Sequence, residues 1–470
     1  MKEKTQVQDV NREFYDFRFK EDDADRFEAG ITPEIIREIS EEKGDPKWML
    51  DFRLKSLEIY HRTPMAPNWG ASIEGLDVDN IVTYIRSKTR MEQDWDKVPE
   101  DVKETFERLG IPQAERESLA GVGAQYDSEL VYHNLRKEVA QSGVVYTDLE
   151  SAMHDERYAK IIQDHFMKLV PPTDHKFAAL HGAVWSGGSF VYVPKGVKLE
   201  IPLQSYFRLN AKGAGQFEHT LIILEDDAYL HFIEGCSAPK YYEASLHAGC
   251  VELFIGKNSI LRYSTIENWS KNMYNLNTKR AIVEEGGKIE WVSGSFGSHV
   301  SYLYPMSILN GRGARSEFTG ITFAGEGQNL DTGAKIVHNA PDTSSYMNTK
   351  SICKSGGIST FRSAILVKEN AKGSKSSVSC ESLMLDSESR SDTIPAMDVR
   401  TNQADVGHEA KIGRISDEAV FYLTSRGLSE EEAKALIVGG FADNVSKELP
   451  MEYAMEMNNL IKLEMVGSIG

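Results

Sequence analysis

Apolar residues recur at helical spacing near the start of the chain and alternate with polar ones beyond residue 175. "ITPEIIREISEEKG" predicts a helix with Thr32 as N-cap, Pro33 at its first position and Gly44 as terminator. "DPKWMLDFRLKSLEIYHR" predicts a second, with Met49, Leu50, Leu54, Leu57 and Tyr60 near helical spacing. Residues 66–125 are mixed and polar and read as a mobile excursion, and "TDLESAMHDERYAKIIQDHFMKLV" predicts a further helix.

From about residue 175, short alternating runs such as "FVYV", "LIIL", "AYLHF", "VELFI", "KIEWV" and "SAILV" are punctuated by Gly, Asn and Asp. Turn residues precede these runs at Gly196, Asp227, Asn258, Gly287, Gly313, Asp342 and Asn370, with successive spacings of 31, 31, 29, 26, 29 and 28. A sandwich turns every 8–12 residues or so without such a longer register. The period near thirty predicts a solenoid of strands, one rung per repeat, with alternate side chains inside. Its open ends need caps, which helices before 175 and after 415 could supply.

The tail is helical. Ser416 caps "DEAVFYLTSRG", Gly427 ends it, and Ser429 with Glu432 forms a capping box opening "EEEAKALIVGGFADNV". "MEYAMEMNNLIKLEM" follows Pro450. These helices are more apolar than a free tail needs, so they either pack on the solenoid or dock another protein. The expected organisation is a helical region over 1–174, a β core over 175–415 and a helical domain over 416–470.

Composition narrows the function. With 53 basic and 71 acidic side chains, net charge is −18, and no basic stripe offers itself to nucleic acid. The charged start lacks a secretory core and no apolar run spans a membrane, so a cytoplasmic protein is expected. Neither a P-loop, a GxSxG elbow nor an HExxH motif occurs. The four cysteines, Cys236, Cys250, Cys353 and Cys380, form no CxxC pair, so any metal ligands are scattered or shared with another chain.

Cys380 precedes the His408–Glu409 pair by 28 or 29 residues, about one rung, which stacks them roughly 4.8 Å apart along the solenoid axis. Thiolate, imidazole and carboxylate suit iron or an iron–sulfur cluster. Strand alternation lets only one of His408 and Glu409 share the face of Cys380 unless the backbone bulges. Cys236, in "HFIEGCSAPK", has small neighbours that could leave its sulfur accessible, with Lys240 nearby and Arg208 one rung upstream to lower its pKa. Cys250 and Cys353 read as inert buried thiols.

"EGCSAP", "YSTIENW", "NTKRAIVEE", "SCESLMLD", "GHEAKIGRIS", "LTSRGLSEEEAKALIVGGF" and the N-terminal "DPKWMLDFRLKSLEIY" together resemble the SufB/SufD family of the SUF iron–sulfur cluster assembly machinery. The resemblance implies a mainly β chain, with a right-handed parallel β-helix between helical segments. It implies a non-enzymatic scaffold in which a SufC-type ABC ATPase docks on the C-terminal helices and a SufD-type paralogue completes the site. A cysteine desulfurase with a sulfur-transfer protein would supply sulfur, and a homodimer is a further expected assembly. Cluster-forming residues map onto Cys380, Glu409 and His408, and the sulfur acceptor onto Cys236. Arg208, Asn210, Trp269 and Lys279 would line the sulfur path. Glu267 stands where relatives carry Gln. The cluster would be transient, and reduced flavin is a further implied cofactor, without a flavin motif here. Two other readings are a carbohydrate-active β-helix enzyme, which needs a carboxylate pair or an Arg/Asp cleft, and a purely architectural subunit.

Overall fold

The computed structural model describes residues 25–65, 70–86, 92, 95–98, 103, 119–239, 244–449 and 451–465. Half of the excursion expected over 66–125, and Lys240, lie outside them.

The alternating runs form a parallel β-solenoid of about eight turns, built of two long sheets with helices at both ends of the chain. On one side the strands Tyr229–Ser237, Ile260–Asn268, Lys288–Phe296, Arg315–Ala324, Ser344–Cys353, Lys375–Met384 and Asp405–Arg414 succeed one another in parallel register. On the other, Asn329–His338, Ile358–Val367 and Arg390–Val399 stack likewise. Leu230, Phe232, Leu261, Tyr263, Ile289, Trp291, Phe318, Met347, Val378 and Cys380 belong to one buried interior. That interior is what the two-residue alternation supplies.

The turn register has a backbone cause. Gly196, Asp227, Asn258, Gly313 and Asp342 all have positive φ, between 56° and 75°. Glycine tolerates this region freely, and Asn and Asp enter it more readily than other residues. At the other two positions the left-handed residue is displaced, to Gly286 and Gly373. Each such N–H reaches the corresponding turn of the next rung: Asp227 N to Lys257 O (2.8 Å), Asn258 N to Glu285 O (2.8 Å), Gly313 N to Pro341 O (3.1 Å) and Asp342 N to Lys372 O (2.9 Å). The conformation thus turns the donor along the axis, where the next turn satisfies it.

Local helical signals hold at both ends. Thr32 accepts from Ile35 N and caps Pro33–Glu42, and Lys47–Arg62 follows. The single helix expected around residues 147–170 is instead two, Leu149–His154 and Ala159–His165. Asp155 interrupts them, because its carboxylate accepts the backbone N–H and side chain of Arg157. A helix at Lys176–Val184 and strands at Gly121–Tyr126, Glu129–Leu135 and Val145–Asp148 lie where the alternation gave no such signal.

The C-terminal helices Asp417–Thr424, Glu430–Ser446 and Met451–Met465 start from the expected Ser416 cap and Ser429–Glu432 box. They do not cap the solenoid end. Val438, Ala442, Val445, Met457, Leu460 and Ile461 pack instead on the flank, against Ile233, Ile266, Val292, Ile321, Phe323 and Ile352. Burying these side chains, at about 1.5–3 kcal/mol each, holds the helices on the flank. The last strands, Arg390–Val399 and Asp405–Arg414, are therefore sheet edges in this chain, with Ile394, Met397, Val399 and Ile412 exposed.

Candidate functional site

The Cys380 region lies at this open end. Parallel register sets Cys380 beside Ala410 of the last strand and Thr349 of the strand below. His408, two residues before Ala410, shares that face, and its Nε2 lies 3.7 Å from Cys380 Sγ. Glu409 departs on the other face, 65 % exposed, with its carboxylate 3.0 Å from Lys411 Nζ. Of the three residues grouped from the sequence, the fold brings together the thiol and the imidazole and sets the carboxylate apart. Burial pushes the Cys380 thiol up to about 11, with a Thr349 contact opposing, so a metal must displace its proton.

Cys236 lies in the middle of the solenoid and is 1 % exposed. Its expected accessibility and lowered pKa are both overturned. Burial, then the carboxylates of Glu234, Glu218 and Glu267, hold the thiol well above its ordinary value, and Lys279 opposes them insufficiently. Its Sγ is a long donor, 3.9 Å from Glu234 Oε1. Register pairs Cys236 with Phe207 and Glu267, whereas Arg208 is paired with Ser237. Alternation thus sends Arg208 to the opposite face, where its Nη1 donates to Ser237 Oγ at 2.9 Å.

Around Cys236 the interior is polar. Glu234 accepts from Lys279 Nζ (2.6 Å) and from the Tyr263 hydroxyl, and Lys279 also reaches Thr265 Oγ1 at 2.8 Å. Burial alone would lower the Lys279 pKa, but Glu234 and Glu267 raise it, so the ammonium persists inside. Asn275 donates to Glu267 Oε2 (2.8 Å) and faces His247 Nδ1 (2.7 Å), whose Nε2 lies 2.5 Å from Glu218. Burial raises the pKa of Glu267 despite Lys279. The Trp269 ring lies 4.6 Å from that of His247. Asn210 is buried outside this set, its N–H donating to Asp127 Oδ1 at 2.6 Å.

Sequence reasoning missed Glu234, Tyr263, Glu218, His247 and Asn275. Glu234 alone carried a signal, standing two residues before Cys236 and so on its face.

The class defined by the fold is a parallel β-solenoid protein with a thiol–imidazole pair at its open rung and a second thiol among buried ionic groups. Residues 207–441 match the family model of the SUF system FeS cluster assembly SufBD core domain, and residues 97–205 that of the SufBD protein N-terminal region. The chain is 50 % identical over 462 residues to iron–sulfur cluster assembly protein SufB of Bacillus subtilis (strain 168), covering 98 % of this chain and 99 % of that protein. It is likewise 50 % identical over 458 residues to an iron–sulfur cluster assembly SufBD family protein of Staphylococcus aureus (strain MRSA252), covering 97 % and 98 % of the two chains. The chain belongs to the SufB/SufD family of iron–sulfur cluster assembly proteins. No helix among the described residues is long and apolar enough to cross a membrane.

Proposed function

We propose that this chain is a scaffold on which an iron–sulfur cluster is built at the open end of the solenoid. The observation that carries the reading is the Cys380–His408 pair, one soft and one borderline ligand held on adjacent rungs at a sheet edge. Glu409, on the outer face of the same strand, would reach the cluster from the side of a second subunit. The unpaired edges of Arg390–Val399 and Asp405–Arg414, with their exposed apolar residues, suit a SufD-type paralogue or a second copy of this chain. A ligand set shared between chains suits transfer, because four strong thiolates would hold the cluster too firmly.

Sulfur would enter as a persulfide on Cys236: its thiolate attacks the sulfane sulfur of a persulfidic donor from a cysteine desulfurase relay, and the donor thiolate leaves. Because Cys236 is buried and its thiol protonated, the donor must meet an opened interior. The Glu234–Lys279–Tyr263 group and Glu267 would then take up the proton and steer the anion. Arg208 and Asn210, on other faces, would position strands, while Trp269 lines the interior. In this reading the chain hydrolyses nothing itself. A SufC-type ATPase would dock on the helices of 416–470, where Phe421, Tyr422 and Leu436 are 74 %, 54 % and 58 % exposed, and ATP would bias the β core of 175–415 between closed and open states. The flavin implied by the resemblance has no role in it, and the cell compartment is the cytoplasm.

Anaerobic reconstitution with ferrous iron and sulfide tests the reading. The wild-type complex should develop cluster absorbance, and Cys380→Ala should lose most of it; full cluster loading in that variant would overturn the assignment. Truncation after residue 415 should end co-purification with the ATPase.

A further inference from the structure

Cys250, which reads as an inert thiol in the sequence, sits far from the open end in a second constellation. It opens the strand Cys250–Ile255 and pairs in parallel register with His219, which opens His219–Leu224 on the rung below. The helix Lys176–Val184 packs there and contributes His181. One ligand atom each from His181, His219 and Cys250 lies within 4.8 Å of the others, and all three residues are at most 2 % exposed.

The groups around the two rings set their orientation. His181 Nδ1 lies 2.9 Å from Ala248 O, which only accepts, so Nδ1 carries hydrogen and Nε2 presents a lone pair. His219 Nε2 lies 3.2 Å from Glu252 Oε2. That carboxylate accepts the backbone N–H groups of Met167 (2.5 Å), Leu169 (2.6 Å) and Val170 (2.9 Å), which fix its position. His219 Nε2 is nonetheless buried without a hydrogen-bond partner among the described residues. His181 Nε2 and His219 Nδ1 face each other at 3.0 Å. Together with Cys250 Sγ they form a compact, buried set of two nitrogen donors and one sulfur donor.

We propose that a borderline divalent cation of the zinc type binds here as a resident ion, held by His181 Nε2, His219 Nδ1 and Cys250 Sγ. Ala248 O and Glu252 serve as the outer acceptors that orient the rings, the usual support of a metal-bound imidazole. Zinc–nitrogen bonds of about 2.0–2.1 Å and a zinc–sulfur bond of about 2.3 Å at tetrahedral angles set donors roughly 3.3–3.6 Å apart, against 3.0 Å between the two nitrogens and at most 4.8 Å within the set here. Two imidazoles and one thiolate suit zinc better than magnesium or calcium, which require oxygen ligands. On binding, Cys250 gives up its proton to solvent and coordinates as thiolate. The ion would tie the N-terminal helix to two rungs of the solenoid.

The test uses the full chain with Cys236, Cys353 and Cys380 replaced by Ala, so that Cys250 is the remaining thiol and the open-end pair is disabled. Zinc content by elemental analysis should be one ion per chain, and cobalt substitution should give a thiolate-to-cobalt charge-transfer band. Cys250→Ser in the wild-type background should weaken zinc binding at least tenfold with the cluster still assembling at the open end. Native mass spectrometry of the wild-type chain provides the count should either variant fold poorly. Absence of stoichiometric zinc together with absence of the cobalt band would overturn the proposal in favour of a hydrogen-bonded histidine pair. Undiminished zinc in Cys250→Ser would overturn it as well. Neither result bears on cluster assembly at Cys380.

Discussion

His408 Nε2 stands 3.7 Å from Cys380 Sγ across two adjacent rungs, whereas Glu409, its neighbour in sequence, leaves on the opposite face with 65 % of its side chain exposed. One chain therefore presents two of its three candidate ligands together and turns the third outward.

That geometry separates the three by assay. In the isolated chain, His408→Ala should lower iron retention during reconstitution roughly tenfold, in the range that losing metal-site support produces, and Glu409→Ala should change it little. In the complex with the paralogue, Glu409→Ala should also reduce cluster loading. Equal losses for both variants in the isolated chain would contradict the facing seen here.

The buried Glu234–Lys279 pair makes a stability prediction. Lys279→Met leaves the buried Glu234 without its ammonium partner, and should cost about 3–5 kcal/mol. Glu234→Gln together with Lys279→Met should recover most of that loss. Chemical denaturation of both variants reads the difference.

Burial pushes Asp127 up to about 6, against opposing hydrogen bonds from the backbone N–H groups of Ala211 and Asn210. A carboxyl whose folded pKa exceeds its unfolded one binds its proton more tightly when folded. Its stabilising contribution is complete below about pH 4 and is lost as pH rises through about 6, by roughly 3 kcal/mol. Asp127→Asn should therefore gain stability relative to the wild type between pH 4 and 6, measured by denaturation at each pH.

Gly313 isolates the backbone term of the turn ladder. Its φ is 68°, and a methyl group added there meets nothing within 4 Å. Gly313→Ala should thus destabilise by about 1–2 kcal/mol from conformation alone, with no change in cluster loading. Thermal or chemical unfolding measures it.

How far the sequence could be read depended on whether a feature is local. The repeat near thirty was legible because each rung needs a left-handed turn, and five of the seven turn residues picked from the spacing hold that conformation. The helix caps at Thr32, Ser416 and Ser429 were legible for the same reason. The break at Asp155 was not, because periodicity says nothing of a side chain that captures the backbone two residues on.

The site residues divide likewise. One-rung spacing tied Cys380 to the 408–409 pair, and alternation dictated that only one member could face the sulfur. Which one followed from the register, set by hydrogen bonds between whole strands. Composition likewise could not place the Cys236 thiol, whose neighbours Glu218, Tyr263 and Lys279 arrive from other rungs, or the meeting of His181, His219 and Cys250. The chain alone determined the period, the turns and the caps, since these rest on short-range backbone preferences. Tertiary structure decided burial, facing and ionisation, because each depends on groups brought close only when the coil closes.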